Sequence, residues 1–126
     1  MTFERIFFVF VVILALTLNF GFFVGEIDNP SHHNEYELFA ALVVNVIATV
    51  MKFGDRSQLG STMLATSLAA DVQLVAAAIV WGWSSFGGAS IPSSAMVSVV
   101  SLAGGALVAN IVSVVLLLME ASKVGR

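Results

Sequence analysis

Residues 59–81 read LGSTMLATSLAADVQLVAAAIVW and hold one charged side chain, Asp71. A helix needs about 20 mostly apolar residues to cross a hydrocarbon core of roughly 30 Å. The stretch reads as a transmembrane helix with an acid near its middle. Three more candidates flank it, at residues 6–25, 34–53 and 94–119. The expectation is therefore an all-α polytopic membrane protein, a single domain of four transmembrane helices.

Composition agrees. Of 126 residues 59% are hydrophobic and 10% charged, with a mean hydropathy of +1.00. A soluble domain is roughly 45–50% apolar and about 25% charged, so this chain would aggregate in water, and a lipid bilayer is the solvent that fits. Four spans use nearly all of it and leave no room for a soluble catalytic domain. There is no Cys, which excludes disulfides, thiolate metal sites and cysteine nucleophiles. The net charge of −3 says less than where the charges sit.

Punctuation falls between the spans. Pro30 marks a turn before the second, where Asn34 followed by Glu37 resembles a capping box. Gly87, Gly88 and Pro92 break the chain between the third and fourth. The first apolar run follows Arg5 but continues through Phe20, Phe22 and Phe23 without a small-residue cleavage site, so it reads as a retained span, not a signal peptide. Every basic residue lies before span one (Arg5), between spans two and three (Lys52, Arg56) or after span four (Lys123, Arg126). With four spans these places share one side, and the positive-inside rule puts both termini in the cytoplasm. Tyr36, Trp81 and Trp83 are expected at the opposite interface, where amphipathic rings favour the headgroup level.

The halves echo one another. Leu42-Val43-Val44-Asn45 in span two matches Leu107-Val108-Ala109-Asn110 in span four, and Phe20-Gly21 and Pro30-Ser31 match Phe86-Gly87 and Pro92-Ser93. Coincidence and a duplicated two-helix hairpin both fit; a duplication would be a parallel repeat with Asn45 and Asn110 equivalent.

The helix faces differ in character. Span one is rich in Phe (Phe3, Phe7, Phe8, Phe10, Phe20, Phe22, Phe23), which is at home in lipid. Ser101, Gly105, Ala109 and Ser113 recur every four residues on span four, a small-residue ridge that admits a neighbouring helix closely. Span three is polar on two faces, Thr62, Thr66 and Gln73 on one and Gly60, Ser67, Asp71 and Ala78 on the other. It should therefore lie inside the assembly.

Asp71 is the residue with most to explain, because an ionised carboxylate near the bilayer midplane costs a few kcal/mol even on lenient scales. No Lys, Arg or His reads as lying within a span, Lys52 belonging to the short inner turn, so no fixed countercharge is expected in the chain. Asp71 is thus expected to be protonated and bonding helices together, to bind a monovalent cation or proton with Asn45, Asn110, Ser67, Thr66 and Gln73 lining or supporting the site, or to pair with another protein. Glu26, Asp28, Glu35 and Glu37 form an acidic outer connector able to concentrate cations at a mouth. The same connector carries the adjacent His32 and His33, whose spacing gives a weak metal signal; a solvated linker with a helix cap also accounts for it. No nucleophile with a base, phosphate loop or basic nucleic-acid surface is evident, so no enzyme activity, cofactor or nucleic-acid partner is expected.

The stretch from Asn45 to Asp71, with Val50-Met51-Lys52-Phe53-Gly54-Asp55-Arg56 and Leu64-Ala65-Thr66-Ser67-Leu68-Ala69-Ala70-Asp71, resembles a small family of uncharacterised prokaryotic inner-membrane proteins. That resemblance implies a multi-pass cell-membrane location but no established activity and no functional residues. The residues themselves favour a homo-oligomeric channel or transporter for K⁺, Na⁺ or H⁺, with Asp71 as its midplane site and the path between subunits. The alternative is a non-conducting accessory subunit that stabilises a larger membrane transporter.

Overall fold

Long apolar runs with few breakers become helix when packing supplies the stability that short isolated helices lack. The computed structural model describes residues 3–25, 28–29, 31, 33–53, 58–88 and 90–124. Among these the secondary structure is helical throughout: α1 Phe3–Phe23, α2 Glu35–Lys52, α3 Gln58–Ser84 and α4 Ser93–Val124, with a 3₁₀ turn at Phe86–Gly88. The helices α1, α3 and α4 are long and apolar enough to cross a membrane, with mean hydropathies of 2.6, 1.8 and 2.4. α2 is shorter, at 18 residues, and carries Glu35, Glu37 and Lys52.

The helix boundaries have local causes. Asn34 is the N-cap of α2, its Oδ1 accepting the Tyr36 N–H at 2.7 Å. Glu37, the other half of the expected capping box, turns its Oε2 toward Gly21 of α1. After α3 the chain reverses through Gly87 and Gly88 at φ of 75° and 84°, a left-handed conformation that glycine adopts without Cβ strain. Pro92 stands just before α4, and its carbonyl accepts the Met96 N–H at 3.0 Å.

Each helix packs against the next in sequence, and α4 closes the ring on α1. The chain runs up and down, so both termini and the α2–α3 connection share one end, here the terminal end. An Arg5–Glu120 ion pair of 3.3 Å ties α1 to α4 there. This neighbour pattern is unchanged when α1 and α2 exchange with α3 and α4, as a duplicated hairpin would require. The outward faces stay apolar: Val72 and Ile79 on α3 and Val108 and Leu118 on α4 are largely exposed. A bundle apolar inside and out is compatible with lipid around it.

Two aromatic placements differ from those expected. Phe22 is fully buried instead of facing lipid, and Trp81, in the last turn of α3, is 8% exposed and turned into the bundle. Their rings meet, 6.0 Å between centroids. At that end the helices splay into connections, and large rings fill the space better than aliphatic side chains would. Tyr36 and Trp83 do lie exposed.

The α3–α4 contact is the most extensive, and the small residues of α4 explain it. Gln73 lies directly over Gly105, and a Cβ there would fall 1.7 Å from Gln73 Oε1. Ser113 is buried, Ala109 packs against the core and Ser101 is exposed. Gly105→Ala should force the flexible Gln73 side chain aside, and the gain in helix propensity of about 0.5–1 kcal/mol should hold the net loss below about 1 kcal/mol. Thermal unfolding in detergent would measure it, and Gln73→Ala in the same chain should restore most of the loss.

Candidate functional site

The buried apolar residues form two clusters. One, toward the end opposite the termini, includes Phe22, Leu38, Leu74, Trp81, Met96 and Val100. The other, toward the terminal end, includes Val11, Val12, Ala48, Met63 and Leu117. Polar side chains fill the break between them on every helix: Asn19 on α1, Asn45 and Thr49 on α2, Thr66 and Ser67 on α3, Asn110 and Ser113 on α4. All but Thr66 are less than 6% exposed. Asp71 borders this layer at the central position of α3, about 20 Å from either helix end at 1.5 Å per residue.

The two polar faces of α3 meet two different helices. Toward α4, Thr66 and Ser113 share a hydroxyl hydrogen bond of 2.6 Å, with Gln73 two turns further on. Toward α2, Thr49 donates to Asp71 Oδ2 at 2.6 Å and also approaches the Asn45 carbonyl at 2.9 Å. One turn away the Lys52 ammonium donates to Ser67 Oγ. Asp71 Oδ1 is buried, and among the described residues nothing hydrogen-bonds to it.

Lys52 corrects the expectation that the acid has no countercharge. It is 4% exposed, and its ammonium attracts the Asp71 carboxylate. The cause is directional. Helix side chains lean toward the N-terminus, so a lysine in the last turn of α2 points back into the bundle instead of out into the loop. Its ammonium also lies 5.9 Å from the Phe8 ring centroid, a cation–π distance. Lys52 and Asp71 thus occupy adjacent rungs of the α2–α3 seam, joined through Ser67 and Thr49.

The expected lining residues do not converge on one point. Asp71 and Ser67 face α2, whereas Thr66 and Gln73 face α4. The Asn45 amide donates to the Ala41 carbonyl of its own helix at 2.6 Å. Asn110 instead donates to Asn19 at 3.0 Å, so the two matching asparagines have different partners. Asn19 escaped the sequence reading. Its amide, in the orientation its neighbours dictate, also donates to the Ala103 carbonyl and accepts the Leu107 N–H, each at 3.0 Å. The signal was an amide inside a phenylalanine-rich run, which lipid cannot satisfy.

Clefts open at both ends. At the terminal end, a cleft of about 570 Å³ lies between Phe7, Phe8, Met51, Met63 and Glu120, with Lys52 in its lining. A cleft of about 660 Å³ at the other end reaches the buried side chains of His33, Trp81 and Ile91. His33 donates from Nδ1 to the Phe22 carbonyl at 2.6 Å, and its ring packs on Phe22. Among the described residues no three His, Asp or Glu side chains gather as metal ligands. Asp28 and Glu35 are exposed and Glu37 half-buried. Glu26, His32, Arg56 and Arg126 lie outside the described residues.

Fold and site define an all-α up-and-down four-helix bundle with three membrane-compatible helices and a lysine and an aspartate on adjacent rungs inside it. The chain belongs to a family of unknown function (DUF6394), which matches residues 32–121. The match takes in α2, α3 and most of α4, and with them Thr49, Lys52, Ser67 and Asp71. Neither the curated proteins nor the solved structures contain a match to this chain.

Proposed function

We propose that this is a four-span inner-membrane protein, both termini cytoplasmic, that binds and passes a monovalent cation or proton at Asp71. The observation carrying this reading is the Asp71 carboxylate, central in its helix, with one oxygen held by Thr49 and the other buried without a donor. Carboxylates inside membrane bundles mark ion pathways and proton relays. α2 qualifies as the fourth span because its charges sit at its ends, Glu35 and Glu37 at one and Lys52 at the other. The positive-inside pattern supplies the orientation. The outer carboxylates Asp28, Glu35 and Glu37 would raise the local cation concentration.

Thr49 and Asp71 meet at the α2–α3 seam of a single chain, so the acid is held there whether or not a second copy borders the path. The test is cation flux into proteoliposomes for K⁺, Na⁺ and H⁺, comparing the wild type with Asp71→Asn. The asparagine oxygen still accepts from Thr49 but carries neither charge nor exchangeable acid proton. Flux in the wild type that Asp71→Asn abolishes, with the bundle intact, is the expected result. No flux of any ion from folded, reconstituted protein would overturn the reading and leave the accessory-subunit role.

A further inference from the structure

We propose that Lys52 makes the Asp71 site selective for the proton over metal cations, and that the site loads through the cleft at the terminal end. This rests on the reading of Asp71 as an ion site and gives its ion and its side of entry.

The selectivity argument is electrostatic and geometric. Lys52 lies one turn from Thr49 on α2, and its partner Ser67 lies one turn from Asp71 on α3, so the ammonium and the carboxylate occupy adjacent rungs of one seam. A metal cation reaching Asp71 would have to rest beside a buried ammonium with which it shares charge sign. It would also need several oxygen ligands. Yet the Thr49 hydroxyl proton already points at the carboxylate, and Ser67 already accepts from Lys52. A proton needs neither a shell nor space. It adds to the carboxylate oxygen, giving the neutral acid, while Lys52 keeps its own protons and its bond to Ser67.

The entry argument comes from what is open and what is filled. Lys52 lines the terminal cleft and is its innermost charge. The other charged groups facing that space are Glu4 and Arg5 from α1 and Glu120 from α4, with Arg5 and Glu120 paired at 3.3 Å. From Asp71 the other way, Leu74, Ala77 and Trp81 step along α3 toward the far end, each buried in the larger apolar cluster with Phe22 and Met96. The terminal cleft reaches Lys52, one rung short of Asp71, while the way beyond Asp71 is packed with apolar side chains. An acid one rung from the cleft and backed by that packing fits a carrier loaded from the terminal side better than an open channel.

Two measurements test this, and neither needs flux. The first is infrared difference spectroscopy on the reconstituted protein, with the Asp71 carboxylic-acid band identified by its loss in Asp71→Asn. In the wild type that band should respond to pH and stay unchanged on adding Na⁺ or K⁺. In Lys52→Gln it should become sensitive to Na⁺ or K⁺, and Lys52→Arg should restore wild-type behaviour. A wild-type band displaced by Na⁺ or K⁺ overturns the selectivity, as does a Lys52→Gln band that ignores both ions. The second uses the absence of native cysteine. A membrane-impermeant thiol reagent should label Met63→Cys from the terminal side alone and Ala77→Cys from neither. Labelling of Ala77→Cys, or of Met63→Cys from the opposite side, overturns the entry route. A protein that passes these tests but carries no ion would sink the transport reading and leave the site assignment standing.

Discussion

Replacing Asp71 with leucine should destabilise the bundle by roughly 1–3 kcal/mol, because it leaves the buried Lys52 without the half-buried carboxylate one rung away. The ammonium of Lys52 is 4% exposed and would keep Ser67 but lose its counterion. Pairing Asp71→Leu with Lys52→Met should then recover most of the loss, because two apolar side chains of similar volume replace two desolvated charges. Thr49 tolerates the change, since its hydroxyl also has the Asn45 carbonyl within 2.9 Å. Denaturant titration of the single and double variants in detergent measures the coupling directly. Additive losses would show that the two charges do not stabilise one another.

Asn19→Leu should cost about 1–3 kcal/mol, the range for stranding a buried polar partner. The substitution nearly conserves volume but removes all three bonds from α1 to α4. Ala103 and Leu107 can close their own i to i+4 helical bond, so the stranded group is the Asn110 amide. Asn110→Leu added to Asn19→Leu should therefore return part of the stability. Interhelical hydrogen bonds in membranes average only about 0.6 kcal/mol, so a loss well below 1 kcal/mol would mean that the amides find other partners.

The helices were legible because each is a long apolar run. Observed boundaries lie within five residues of those read from sequence, with α1, α3 and α4 extending beyond or shifted from the expected ends. That α3 meets two neighbours was legible too, since Thr66 and Ser67 point to different sides of one helix and both find partners, while Val72 and Ile79 leave a third face outward. The site was half legible. Asp71 stood out as a lone charge in an apolar stretch, but Lys52 sits at a helix end beside a loop, where a basic residue ordinarily signals topology. Asn19 was masked by its phenylalanine neighbours, and Trp81 by the habit of tryptophan at interfaces.

Sequence alone determined the element type and the compatibility of three helices with a bilayer, because hydropathy and helical length are sums over consecutive residues. It also determined that Asp71 needs an answer to its charge. Only the tertiary structure decided what that answer is. Which helix faces which, that Lys52 turns inward instead of outward, and that Asn19 meets Asn110 depend on the register of packed helices. Register is set by many side chains meeting across 8–10 Å interaxial spacings, and no stretch of sequence read by itself contains that information.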